Sequence, residues 1–177
     1  QERFGLEHSG DIEFFNAGIY LEYGSIAQNI VFGEFLDRKA IFTKAFQRQQ
    51  FLTFLQTVGI EQELVDFGIV IAKATVPILR YAAKTQELFV DSPIAGDELD
   101  EYAALLTGIS QRGRQGLRPK EASLFLKLAL GFISGRHKTV RMPYRLKLRL
   151  LQVRKEFQEF IDHEGEAVLQ FYNAHQY

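Results

Sequence analysis

Cysteine is absent from the 177 residues. That excludes disulfides, thiolate metal sites and a cysteine nucleophile together, and it fits a reducing, cytoplasmic setting. No apolar run approaches the ~18 residues needed to cross a membrane, so no membrane contact is expected. The richest stretch, 122–133, is interrupted by Ser123 and Lys127 and reads as a buried helix. Neither phosphate-cradling glycine pattern, Gly-x-x-x-x-Gly-Lys-Ser/Thr or Gly-x-Gly-x-x-Gly, occurs. His8, His137, His163 and His175 lie far apart and form no metal-ligand spacing. Glu159 and His163 stand at i and i+4, but a di-iron bundle repeats Glu-x-x-His and adds two further glutamates. The acidic group Glu7, His8, Asp11 and Glu13 is explained by capping of a helix start. Neither an enzyme nor a cofactor or metal is expected. The chain begins at Gln1 with no charged-then-apolar leader, as expected of a trimmed or processed product or a piece of a longer polypeptide.

What is present is helical periodicity, with period-two alternation scarce and no repeat or long linker. The pattern predicts an all-α bundle of six or seven helices in one domain spanning 1–177. A first helix is expected from Asp11, capped by Ser9 or Asp11, towards Tyr23. A second follows Ser25 and breaks near Asp37. Phe42, Ala45, Phe46, Leu52 and Leu55 recur at helical spacing up to a left-handed stop at Gly59, with Ile60 as its apolar follower. Residues 61–89 read as helix, kinked or divided at Pro77. After a loop at 91–96, Asp97 is expected to cap a helix ending near Ser110, followed by a basic loop from Gly108 to Gly116. Pro119 opens a helix ending at Ser134-Gly135. A last helix runs from Tyr144 past Asp162, with a possible break at Gly165. The Phe-rich first half, from Phe14 and Phe15 to Phe54, reads as core and as a candidate subunit interface.

A net charge of −1 hides a segregation. Residues 1–111 carry 8 Lys+Arg against 16 Asp+Glu, residues 112–155 carry 13 against 1, and residues 156–177 carry 0 against 5. Such asymmetry is a general sign of a nucleic-acid or membrane contact, and with no membrane contact expected it points to nucleic acid. The candidate nucleic-acid-binding residues fall in three groups. Arg112, Arg114, Arg118 and Lys120 occupy the glycine-bounded loop and a helix start, where free backbone N–H groups would help hold phosphate. Arg136, Lys138 and Arg141 occupy the connection before Pro143. Arg145, Lys147, Arg149 and Arg154 lie on the last helix. There Leu146, Leu150, Val153, Phe157, Phe160 and Ile161 form the core stripe. Arg145 and Arg149 lie on one flank of it, and Lys147 and Arg154 on the other. Lys127 belongs to a stripe of Ser123, Lys127, Gly131 and Ser134, read either as a seam admitting a neighbouring helix or as a groove floor. Tyr144, between Arg141 and Arg145, is a candidate for stacking on a base or for a half-buried anchor. Arginine outnumbers lysine here, as bidentate phosphate contact favours.

No helix-turn-helix, zinc-finger or RNA-recognition signature occurs, so contact with the phosphate backbone without sequence specificity is expected. In size, helix content and basic face the chain resembles the small helical subunits of CRISPR RNA-guided complexes. The resemblance implies a compact bundle lining a nucleic-acid path beside other protein subunits, and it rests on those general features and not on a motif. The rival expectation is an adaptor or regulatory module. In it the basic stretch pairs internally, for instance with Asp97, Glu98, Asp100 and Glu101, or docks an acidic protein. A helical ligand-binding domain with a Phe-lined pocket is the third.

Overall fold

Glycine and proline punctuate the helices at the points where backbone geometry demands them. The computed structural model describes the backbone of residues 18–31, 45–81 and 91–173, and the side chains of 18–31, 49–81 and 91–160. It contains α1 (Ile26–Val31), α2 (Ala45–Thr57), α3 (Glu61–Tyr81), α4 (Leu99–Arg112), α5 (Pro119–Gly131) and α6 (Tyr144–Asn173), with short 3-10 turns at Gly96–Glu98 and Arg114–Gly116. No strand occurs among the described residues. An isolated bridge joins Ser25 to Ile133. The all-α expectation holds.

α2 ends where the sequence predicts. Gly59 takes φ +72°, its N–H bonds Gln56 O, and the N–H of buried Ile60 reaches back to Leu55 O. α3 runs unbroken through Pro77, which lies on an exposed face. α4 begins at Leu99 after the 3-10 turn, with no side-chain cap from Asp97, and continues past Gly108 to Arg112. The stop is Gly113, at φ +71°. α5 starts at Pro119 and ends at Gly131, three residues short of Ser134. α6 is continuous past Gly165. Residues 18–25 are turns, so the first predicted helix does not reach Tyr23. Its earlier part, Phe14 and Phe15, the break near Asp37, Phe42, the helix beyond Tyr81, and the side chains of Phe46 and His163 lie outside the described residues.

One continuous apolar cluster extends from Tyr20 to Phe157. Within it α3 and α5 come into backbone contact. A Cβ placed on Gly68 would come 2.1 Å from Phe125 O, so only glycine permits this contact. Phe51 and Phe54 meet Phe157 edge-on at 5.9 and 5.0 Å, so the described part of the Phe-rich half is core. α6 packs on α1 along one side, which decides the fate of its basic residues.

Candidate nucleic-acid interface

The first basic group closes on itself. Glu121, in the first turn of α5, is buried and accepts from Arg118 Nε (2.9 Å), Arg118 Nη2 (2.6 Å), Arg118 N (2.9 Å) and Arg112 Nη2 (2.9 Å). The Arg118 side chain and backbone and the Arg112 fork hold its carboxyl down at about 2. Gly108 and Gly116 leave the room into which Arg112 folds, with the Arg112 side chain within 3 Å of a Cβ at either position. The loop's N–H groups are also engaged: Gly113 with Ile109 O, Gly116 with Gly113 O, Leu117 with Arg114 O, and Arg118 with Glu121. Glu121 and the loop's own carbonyls thus occupy Arg112, Arg118 and four of the N–H groups of the predicted phosphate cradle. Arg114 pairs with Asp66 of α3. Lys120 is exposed and makes no ion pair among the described residues.

Ser123, Lys127 and Gly131 face outward, and nothing lies within 4 Å of a Cβ built on Gly131. The stripe is neither a helix seam nor a groove floor among the described residues, and Lys127 bonds Glu98 at 2.9 Å. Of the four acidic residues expected to neutralise the basic stretch, Glu98 alone forms an ion pair within the described residues. The other carboxylates are Glu22, Asp66, Asp91, Glu121 and Glu156.

On α6 the two flanks differ from the sequence reading. Arg154 is fully buried, against the expectation of a surface contact. Its Nε donates to Asn29 O (2.7 Å), Nη2 to Asn29 Oδ1 (2.8 Å) and Nη1 to Ile19 O (3.0 Å). Burial pulls its pKa down. Asn29 is itself a hub, accepting from Leu21 N and donating to Leu21 O, Gly24 O and Ser25 O. Lys147 pairs with Glu22 and lies 5.3 Å from the Tyr20 ring centroid. On the other flank Arg149 donates to Val58 O (2.6 Å), past the end of α2, and to Glu156 (3.2 Å). At Lys147, Arg149 and Arg154 the stripe margins are thus packing surface, because segments 19–31 and 57–59 close over them.

Among the described residues of the basic stretch, Lys120 and Lys155 are isolated exposed cations, and the one open group is the corner between α5 and α6. Arg136 bonds Asp91 at 2.7 Å. Lys138, Arg141 and Arg145 are exposed and form no ion pair among the described residues. Tyr144 is 72% exposed, so it is not a half-buried anchor. The corner is built by Glu22: its backbone carbonyl accepts from Gly135 N (2.6 Å), while its carboxylate accepts from Ser134 Oγ (2.6 Å) and Lys147. Burial opposes the charge on Glu22, but Lys147, Ser134 and the nearby Lys138 hold its pKa below the usual range. Sequence reasoning missed Tyr23, 78% exposed, whose ring lies against Gly135: a Cβ there would be 2.9 Å from Tyr23 Cδ1. The small residue at Gly135 is the signal, read only as a helix end.

His137 closes the same connection from inside. Its buried Nδ1 accepts from Ile133 N at 3.0 Å, which requires the neutral ring at that nitrogen, and burial followed by Arg136 lowers its pKa. No group of three or more metal-ligating side chains occurs among the described residues, and no helix there is long and apolar enough to cross a membrane. No protein-family model, curated protein or solved structure matches the chain.

Proposed function

We propose that the chain is a non-catalytic helical subunit that contacts a polyanion, nucleic acid in the first place, through the α5–α6 corner, without sequence specificity. The observation that carries this is the contrast in pairing. Lys138, Arg141 and Arg145 are open and lie within eight residues of one another, whereas their neighbours Arg136, Lys147 and Arg149 are each held by an acidic group. Three cations give a modest site, with a log–log salt slope of about −2 for a single strand at ~0.7 per phosphate. Affinity and target choice would then come from other protein subunits. That suits a cytoplasmic nucleoprotein assembly such as a CRISPR-type RNA-guided complex, which size, helix content and charge suggested.

The test is fluorescence anisotropy with labelled DNA and RNA across a salt series, comparing the wild type with Arg141→Glu/Arg145→Glu. Binding that weakens with salt and is lost in the variant supports the proposal. Salt-indifferent or unaltered binding refutes it. The second reading, an adaptor or regulatory module whose basic stretch pairs internally, is favoured by the ion pairs that occupy most of that stretch. It would take the lead if no nucleic acid bound.

A further inference from the structure

We infer that the α5–α6 corner takes a single strand and not a duplex, with Tyr23 and Tyr144 as stacking platforms and Lys138, Arg141 and Arg145 on the backbone. This rests on the polyanion reading above and adds the class of ligand. Two exposed tyrosines belong to segments 121 residues apart in sequence, and Glu22 ties those segments together. Glu22 precedes Tyr23 and bonds both Gly135 N and Lys147 Nζ, and Tyr144 lies one helical turn before Lys147. Lys138 acts electrostatically on the Glu22 carboxylate, so it belongs to the same corner. The carboxylate itself is met by Lys147, which leaves the surplus positive.

Exposed aromatic faces beside unpaired cations match what a single strand offers and a duplex withholds: unstacked bases next to phosphates. An acidic peptide would satisfy the cations but offers no succession of planar rings. Leu148, half exposed four residues after Tyr144, extends the apolar surface beside Arg145. Neither tyrosine is used elsewhere in the core, and the chain contains no tryptophan, so base stacking is readable as quenching of tyrosine fluorescence.

The experiment titrates the full chain with a 15-nucleotide oligothymidine, the corresponding 15-base-pair duplex, heparin and a polyglutamate peptide. The wild type is compared with Tyr23→Leu/Tyr144→Leu, and circular dichroism melting checks that the variant folds as the wild type does. The expected result is preference for the single strand over the duplex and tyrosine quenching on binding. The double variant should lose about tenfold affinity per ring for the single strand while keeping its heparin affinity. Duplex binding as tight as single-strand binding, or equal losses on oligothymidine and heparin, overturns the inference and leaves the polyanion reading standing. Tyrosine-dependent binding of polyglutamate alone overturns it in favour of a protein partner. Failure to bind any of the four removes the polyanion reading itself.

Discussion

Between Arg112 and Lys127 every cation but Lys120 meets a carboxylate, whereas from Lys138 to Arg145 none does among the described residues. The first stretch lies between helices whose own acidic residues, Asp66, Glu98 and Glu121, point into it. The second lies on a connection whose acidic neighbour, Glu22, is already bound by Lys147. Local charge density is therefore a poor guide to available charge. What matters is whether packing delivers a counter-charge, and a guanidinium with two or three internal acceptors serves the fold before it serves a ligand.

The sharpest way to break this contrast is at Arg154, the basic residue drawn furthest into the fold. Arg154→Met keeps the aliphatic bulk but leaves Asn29 O, Asn29 Oδ1 and Ile19 O short of donors, and stability should fall by about 3–5 kcal/mol. Urea denaturation measures this, and an unchanged midpoint would remove its structural role. Arg149→Glu comes next, at about 1–2 kcal/mol, because it loses the bond to Val58 O and repels Glu156. Arg145→Glu, one turn earlier and open, should stay within about 0.5 kcal/mol while weakening polyanion binding. Equal melting losses for the pair would erase the distinction between flanks.

Glu121→Gln tests the other side of the comparison by converting the paired loop into an open one. It should lower the melting temperature and add two available guanidinia. The single-strand salt slope should steepen by about 1.4, at ~0.7 per phosphate. The smallest effect is in pH. The folded pKa values of His137 and Glu121 both lie below their ordinary values, so the unfolded chain binds more protons and stability falls on acidification. The His137 contribution is present above 6.5 and lost as pH falls below it. That of Glu121 is present above 4.5 and lost towards about 2. His137→Gln should flatten the upper step in denaturation titrations from pH 8 to 5 and leave the lower one.

The helices themselves were readable because their determinants are local: Gly59 as a left-handed stop, Pro119 at a first turn, and the Leu146–Leu150–Val153–Phe157 stripe. The fate of the basic residues was not. Periodicity places Arg154 at the margin of that stripe but cannot say that residues 19–31, more than 120 positions earlier, close over it. Asn29 carried no signal in the sequence, because its bonds to three preceding carbonyls depend on a turn with no strong motif. Gly108 and Gly116 were read as the bounds of a basic loop, although their effect is to make space for the Arg112 side chain. Tyr144 was singled out from sequence, as a stacking residue or a half-buried anchor, whereas Tyr23 is brought to the α5–α6 connection only by its tertiary contact with Gly135.

Gly68 carries a mechanical consequence. With the Phe125 carbonyl where a side chain would begin, α3 and α5 have no cushion of rotatable atoms at this point. Displacement of one backbone is passed to the other without slack, so the pair opens as a single unit or not at all. Amides near 68 and 125 should accordingly share one hydrogen-exchange rate, among the slowest in the chain. The α5–α6 corner is instead tied to Glu22 by one backbone bond from Gly135 N and by the side chains of Ser134 and Lys147.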